Sequence, residues 1–189
     1  MMKLHFLAHL FLSAGNPEIM VGNFIADAVK GNSFLKYPTT IAKGIRLHRS
    51  IDKFTDSHPI VQLSKQRLRP KYRKYAGVIV DMFYDHLLAI GWEFYSPISL
   101  ISFASQAYEV LRNYQSLIPI RSQQVLFYMQ KGNWLVDYAQ LSGIDQALKG
   151  LATRTRYLSG MEKSIQDLRS DYADYQNEFS TFFPQLVEF

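Results

Sequence analysis

The stretch "YAGVIVDMFYDHLLAIGW", residues 75–92, constrains the fold more than any other. Val78, Ile79, Val80, Met82, Phe83, Leu87, Leu88 and Ile90 leave no polar side if the segment is helical. The β-branched residues of "GVIVDMFY" would also suit a strand. A strand there would break the longer helical run towards Gly91, so a helix is the expected element. A helix apolar all round belongs at the centre of a fold. Yet Asp81 and Asp85 stand in it one turn apart, with His86 adjoining. Buried carboxylates are costly unless paired, hydrogen-bonded or bound to a cation. The segment therefore demands either a shared cation or a dense hydrogen-bond network.

The rest of the chain reads as helix almost throughout. Asn16-Pro17 starts a helix expected to stop near Gly31, and another begins near Pro38 or Thr39. A basic helix follows His58-Pro59, with Pro70 expected to bend or end it. Pro97 and Pro119 open two more, and segments from Asn133 and Gly143 follow. Met161, Ile165, Leu168, Tyr172, Tyr175, Phe179 and Phe182 alternate steps of four and three, predicting a long final helix with an apolar packing seam. The expected fold is all-α, a single helical bundle domain over residues 1–189. A composition 48% hydrophobic and 14% aromatic supports a packed core.

The opening residues, "MMKLHFLAHLFLSAG", read as a structural first helix rather than a leader peptide. The run carries His5 and His9 and lacks a clear A-x-A site. No apolar run approaches the ~20 residues of a membrane span. With no cysteine, disulfides, thiolate metal sites and cysteine nucleophiles are excluded, and a reducing, cytoplasmic location is expected.

The polar residues on apolar stripes recur. Ile41, Ile45, His48 and Asp52 advance by four, three and four, so His48 and Asp52 continue an apolar stripe. Asp27 follows Met20 and Phe24 at helical spacing. His9 lies inside "FLAHLF". All five histidines precede residue 87. A single such residue is more often a satisfied core group than a ligand. Repetition over several helices favours a divalent cation held by inward-pointing side chains. Imidazoles and carboxylates without thiolates suit Mn²⁺, Fe²⁺, Mg²⁺ or Zn²⁺. His58, before Pro59 in a turn, is expected at the surface, and His5 is expected to be packed or exposed rather than a ligand. G-x-S-x-G, P-loop and G-x-G-x-x-G patterns are absent.

The net charge of +5 is local in origin. Lys65, Arg67, Arg69, Lys71, Arg73 and Lys74 fall in ten residues, within an interval free of acids from Asp56 to Asp81. Such a block is either a solvated face or a docking patch for an acidic partner.

The stretches "FLAHL" (6–10), "GNFIAD" (22–27), "GIRLHRSIDKFTD" (44–56) and "DMFYDHLL" (81–88) resemble the acyl carrier protein phosphodiesterases. "NWLVDY" (133–138), "GLATR" (150–154) and "FSTFFP" (179–184) carry the resemblance nearly to the C-terminus. It implies an unusual branch of the HD phosphohydrolases, all-helical and metal-dependent. It further implies hydrolysis of the phosphodiester linking 4′-phosphopantetheine to the serine of holo-acyl carrier protein, with Mn²⁺ the expected metal and Mg²⁺ or Fe²⁺ alternatives. Ordinary HD enzymes carry adjacent His-Asp, whereas here the pair Asp85-His86 is reversed. The ligands expected are Asp27, His48, Asp52, Asp85 and His86. His9 and Asp81 are expected as further ligands, as partners behind the ligands or as a proton carrier, and Arg49 as a stabiliser of phosphate charge. The basic 65–74 segment gains acyl carrier protein, a strongly acidic protein, as its expected partner. Two other readings remain: a helical metal phosphohydrolase acting on nucleotides, and a non-enzymatic basic protein that binds nucleic acid. The latter predicts no need for buried acids.

Overall fold

A computed structural model describes residues 6–155 and 157–189. The chain is built from α-helices joined by short 3₁₀ turns, with no strand among the described residues. Five helices position the site. These are α1 (Leu7–Phe11), α2 (Pro17–Ile25), α3 (Thr39–Ser57), α4 (Pro59–Tyr72) and α5 (Ala76–Ile90). Then come α6 (Leu100–Asn113), α7 (Ile120–Lys131), α8 (Trp134–Asp137), α9 (Leu141–Ala152), α10 (Ile165–Ser170) and α11 (Tyr172–Glu188). None of the described helices is long and apolar enough to cross a membrane.

Residues 76–90 are helical and central, as their apolar surface requires. Every residue from Met82 to Ala89 is buried, and α5 packs against α1, α4, α9 and α11. Leu7 and Leu10 of α1 are fully buried, so this helix belongs to the core. Asn16 caps α2 by accepting the Ile19 N–H at 3.1 Å, with Pro17 at the first helical position.

Several boundaries differ from those the sequence suggests, among them the helix expected to open at Pro97, which starts at Leu100 behind the Ser99 cap, and the segment expected from Gly143, which starts at Leu141. The helix from Pro17 ends at Ile25 and tightens into a 3₁₀ turn over Ala26–Ala28 instead of reaching Gly31. Pro70 lies inside α4, in its last turn, and the helix ends only at Tyr72. The final helix is broken at Asp171, where φ −112° and ψ 28° leave the helical region. The seam survives the break. Met161, Ile165 and Leu168 before it, and Tyr175, Phe179 and Phe182 after it, are all buried.

Helices α2 and α3 approach each other closely. Gly22 and Gly44 face each other, and a Cβ on Gly22 would lie 2.8 Å from the Gly44 Cα. The two backbones are therefore in contact, which brings the next residue of α2, Asn23, against the residues of α3.

Candidate active site

His9 from α1 and His48 from α3 stack face to face, with ring centroids 4.0 Å apart and 20° between planes. Both are buried. The Asn23 side chain of α2, which is 1% exposed, bridges their Nδ1 edges. Its Oδ1 is 3.0 Å from Nδ1 of His9 and 3.0 Å from Nδ1 of His48. Its Nδ2 donates to the His9 carbonyl at 2.6 Å and to Ser13 Oγ at 3.3 Å.

The opposite edges of the two rings face carboxylates. His9 Nε2 is 3.4 Å from Asp52 Oδ1, and His48 Nε2 is 3.6 Å from Asp52 Oδ2 and 3.8 Å from Asp27 Oδ1. These separations are long for hydrogen bonds. His48 Nε2 is buried with no hydrogen-bond partner. One ligand atom from each of His9, His48 and Asp52 lies within 4.8 Å of the other two. Two imidazole nitrogens and a carboxylate oxygen, with a buried nitrogen otherwise unsatisfied, fit a divalent cation of the Mn²⁺, Fe²⁺ or Zn²⁺ kind.

A cleft opens beside this cluster. His9, Asp52, Asp56, Asp81 and Asp85 line it on the polar side, and Phe179, Phe182, Phe183 and Leu186 of α11 form its apolar wall. Asp85 is 1% exposed and accepts the backbone N–H groups of Leu7 and Ala8, both at 3.0 Å. It thus caps α1, the helix that carries His9. Burial pushes its carboxyl up to about 7. The backbone N–H groups oppose that shift, and the charge of Asp81 adds to it.

The structure gathers His9, His48 and Asp52, with Asp27 beside His48, and sets Asp81 and Asp85 on the cleft wall. It does not bring His86 there. Adjacent helical residues diverge by about 100°, so His86 leaves α5 in another direction from Asp85. Its Nδ1 donates to the Tyr138 carbonyl at 2.7 Å, and its Nε2 is 3.1 Å from the Tyr172 hydroxyl. Burial holds its pKa below the usual histidine range. In place of the expected ligand, this is a core histidine with both nitrogens hydrogen-bonded. Arg49 also points elsewhere, donating to the Val29 carbonyl at 2.7 Å with its guanidinium over the Phe34 ring.

The basic segment divides in two. Lys65 is buried and bonded to Asp56 at 2.7 Å. Arg67 forms a two-pronged pair with Glu178 at 2.6 and 2.9 Å. Arg69, Lys71, Arg73 and Lys74 are exposed. Arg69 donates to Gln62, Lys71 pairs with Asp167, and Lys74 lies over the rings of Tyr75 and Tyr157. His58, expected at the surface, is half-buried, with its ring against Phe182 and its Nε2 3.2 Å from Gln185. His5 lies outside the described residues.

Two parts of the site escaped the reading of the sequence. One is Asn23, whose only signal is a polar residue inside the apolar run "MVGNFIA". The other is the aromatic wall from α11, which reads as ordinary core.

Residues 4–186 match the family profile described as acyl carrier protein phosphodiesterase. An acyl carrier protein phosphodiesterase of Photorhabdus laumondii is 34% identical over 186 residues, spanning 98% of this chain and 94% of the relative. Those of Serratia proteamaculans and Escherichia coli O157:H7 are each 32% identical. They span 98% and 97% of this chain and 96% of their own. No solved structure is significantly similar. The chain belongs to the acyl carrier protein phosphodiesterase family.

Proposed function

We propose that this protein hydrolyses the phosphodiester between 4′-phosphopantetheine and the serine of holo-acyl carrier protein, releasing the apo-carrier protein and 4′-phosphopantetheine. The observation that carries the reading is family membership across nearly the full length of both chains. The cleft supports it, because His9 and several carboxylates line it beside the His9, His48 and Asp52 cluster.

His9, His48 and Asp52 would hold a divalent cation, Mn²⁺ first among the candidates, with Asp27 close enough to join them. When bound there, the cation would neutralise a phosphoryl oxygen and lower the pKa of a bound water. Asp81, half-buried on the cleft wall, is the group we assign to take up the proton of the attacking water at its carboxylate. The aromatic wall from α11 limits bulk water on the other side. Asp85 keeps α1 in place and so keeps His9 in the cluster. The acidic carrier protein would dock on the exposed cations at the end of α4, with Lys65 and Arg67 serving the fold instead.

The test is mass spectrometry of holo-acyl carrier protein incubated with the enzyme and Mn²⁺. The expected result is loss of the phosphopantetheine group. His48→Ala should lower kcat/KM by about 1,000-fold. His86→Ala should cost about 1–3 kcal/mol of stability through its lost buried hydrogen bonds while leaving Mn²⁺ uptake intact. No release from several carrier proteins would overturn the substrate assignment. Loss of metal binding in His86→Ala would restore it as a ligand.

A further inference from the structure

The Asn23 amide dictates where the protons sit on both site histidines. Its orientation follows from the 2.6 Å contact with the His9 carbonyl. A carbonyl oxygen only accepts, so the amide nitrogen must face it. The amide oxygen must then face Nδ1 of His9 and of His48, each at 3.0 Å. That oxygen also only accepts, so both Nδ1 atoms carry a hydrogen. In the neutral rings both lone pairs are then on Nε2, the edge that faces Asp52. A site built from hydrogen bonds alone would place the proton on Nε2, aimed at the Asp52 carboxylate. In the neutral rings two lone pairs then meet a carboxylate, an arrangement that a shared metal cation would reconcile.

We propose that Asn23 is a positioning residue that fixes the tautomer and the aim of His9 and His48 together, so that both Nε2 lone pairs converge on one cation with Asp52. The inference rests on the metal reading of the site. One buried amide does for two imidazoles what a separate carboxylate or carbonyl commonly does for one. Its own hold is firm, because Nδ2 is bonded to the backbone of α1 while Gly22 locks α2 onto α3. The amide therefore ties all three helices of the site to a single tautomer choice.

The test reads the tautomers directly. ¹⁵N chemical shifts of the imidazole nitrogens are measured on histidine-labelled, metal-free protein at about pH 8, above the usual histidine range. Signals are assigned by their loss in His9→Gln and His48→Gln. Both rings are expected as the Nδ1–H form in wild type. Asn23→Ala should release them towards the Nε2–H form and weaken Mn²⁺ binding, measured by calorimetry, by about 10–100-fold. Asn23→Asp keeps an acceptor facing both rings and should keep the Nδ1–H form. Wild-type rings protonated at Nε2 would overturn the proposal without any variant. So would an Asn23→Ala protein that keeps both tautomers and its Mn²⁺ affinity. Wild type that shows both Nδ1–H rings but takes up no Mn²⁺ would uphold the role of Asn23 and overturn the metal reading instead.

Discussion

Asp85 shows how one residue can serve the site by holding the helix that carries a site histidine. Its carboxylate accepts two N–H groups at the start of α1, two residues or fewer before His9. Burial pushes its pKa from 3.8 in the unfolded chain to about 7. The native protein then keeps a proton that the unfolded chain gives up. Stability attributable to this residue is present below about pH 4 and is lost as pH rises through about 7. Asparagine has the shape of the protonated acid. The melting temperature of metal-free Asp85→Asn, minus that of wild type, is therefore expected to rise between about pH 4 and pH 7. A difference that stays flat across that window would show that Asp85 does not titrate there. At this scale the sequence was informative about which residues matter and less so about their tasks. His48 and Asp52 were legible because an acid on an apolar stripe needs a partner. Asp85 and His86 looked alike for the same reason, and only the direction of each side chain separates a helix cap from a core histidine. Asn23 was not legible, since an amide in an apolar run announces neither charge nor metal chemistry.

The helices themselves were written plainly in proline positions and apolar spacing. Pro17, Pro38, Pro59 and Pro119 each stand at a helix start, as position or N-cap. Their ends were less legible. An apolar seam continues smoothly through Asp171 because each piece keeps its own buried face, so periodicity alone could not reveal the break. The contact of α2 with α3 was also hidden, since two glycines in separate segments carry no signal that they meet. That contact has a measurable consequence. A Cβ on Gly44 would collide with the Ile19 carbonyl and lie 3.0 Å from the Gly22 Cα. Neither backbone can yield without separating the helices. Gly44→Ala is expected to destabilise the protein by about 1–3 kcal/mol or more, and to weaken Mn²⁺ binding as Asn23 draws away from His48. Gly150, inside α9, has nothing within 4 Å of such a Cβ. Gly150→Ala should be neutral, or stabilising by about 0.5–1 kcal/mol through helix propensity. Thermal unfolding of the two variants side by side checks the contrast. Equal effects would mean that the glycine contact does not hold α2 against α3.

For the molecule as a whole, the basic surface must be reconciled with where the cleft lies. Asp81 on the cleft wall is two helical turns along α5 from the turn bearing Arg73 and Lys74, roughly 10 Å at 1.5 Å per residue. One face of a small acidic protein can cover both at once. The scissile bond of the proposed reaction is at the carrier protein's own serine, so the carrier must itself approach the cleft, and a patch at this distance is within its span. Beside the cations stand Tyr157 and Leu158, both largely exposed, which adds apolar area to the charged rim. Lys65 and Arg67 are held inside by Asp56 and Glu178, so in the proposed docking the attraction would fall to the cations beyond them. Exposed charges act mainly by steering encounter, and salt screens them over roughly 8–10 Å near physiological ionic strength. Arg73→Glu combined with Lys74→Glu is therefore expected to lower kcat/KM on holo-acyl carrier protein by about 10–100-fold at low salt. The same change should flatten the salt dependence, because the wild-type advantage is the part that salt removes. An equal loss on a small phosphodiester would place these residues in the fold or the cleft. No loss on the carrier protein at low salt would make the segment a solvated face with no partner to recognise.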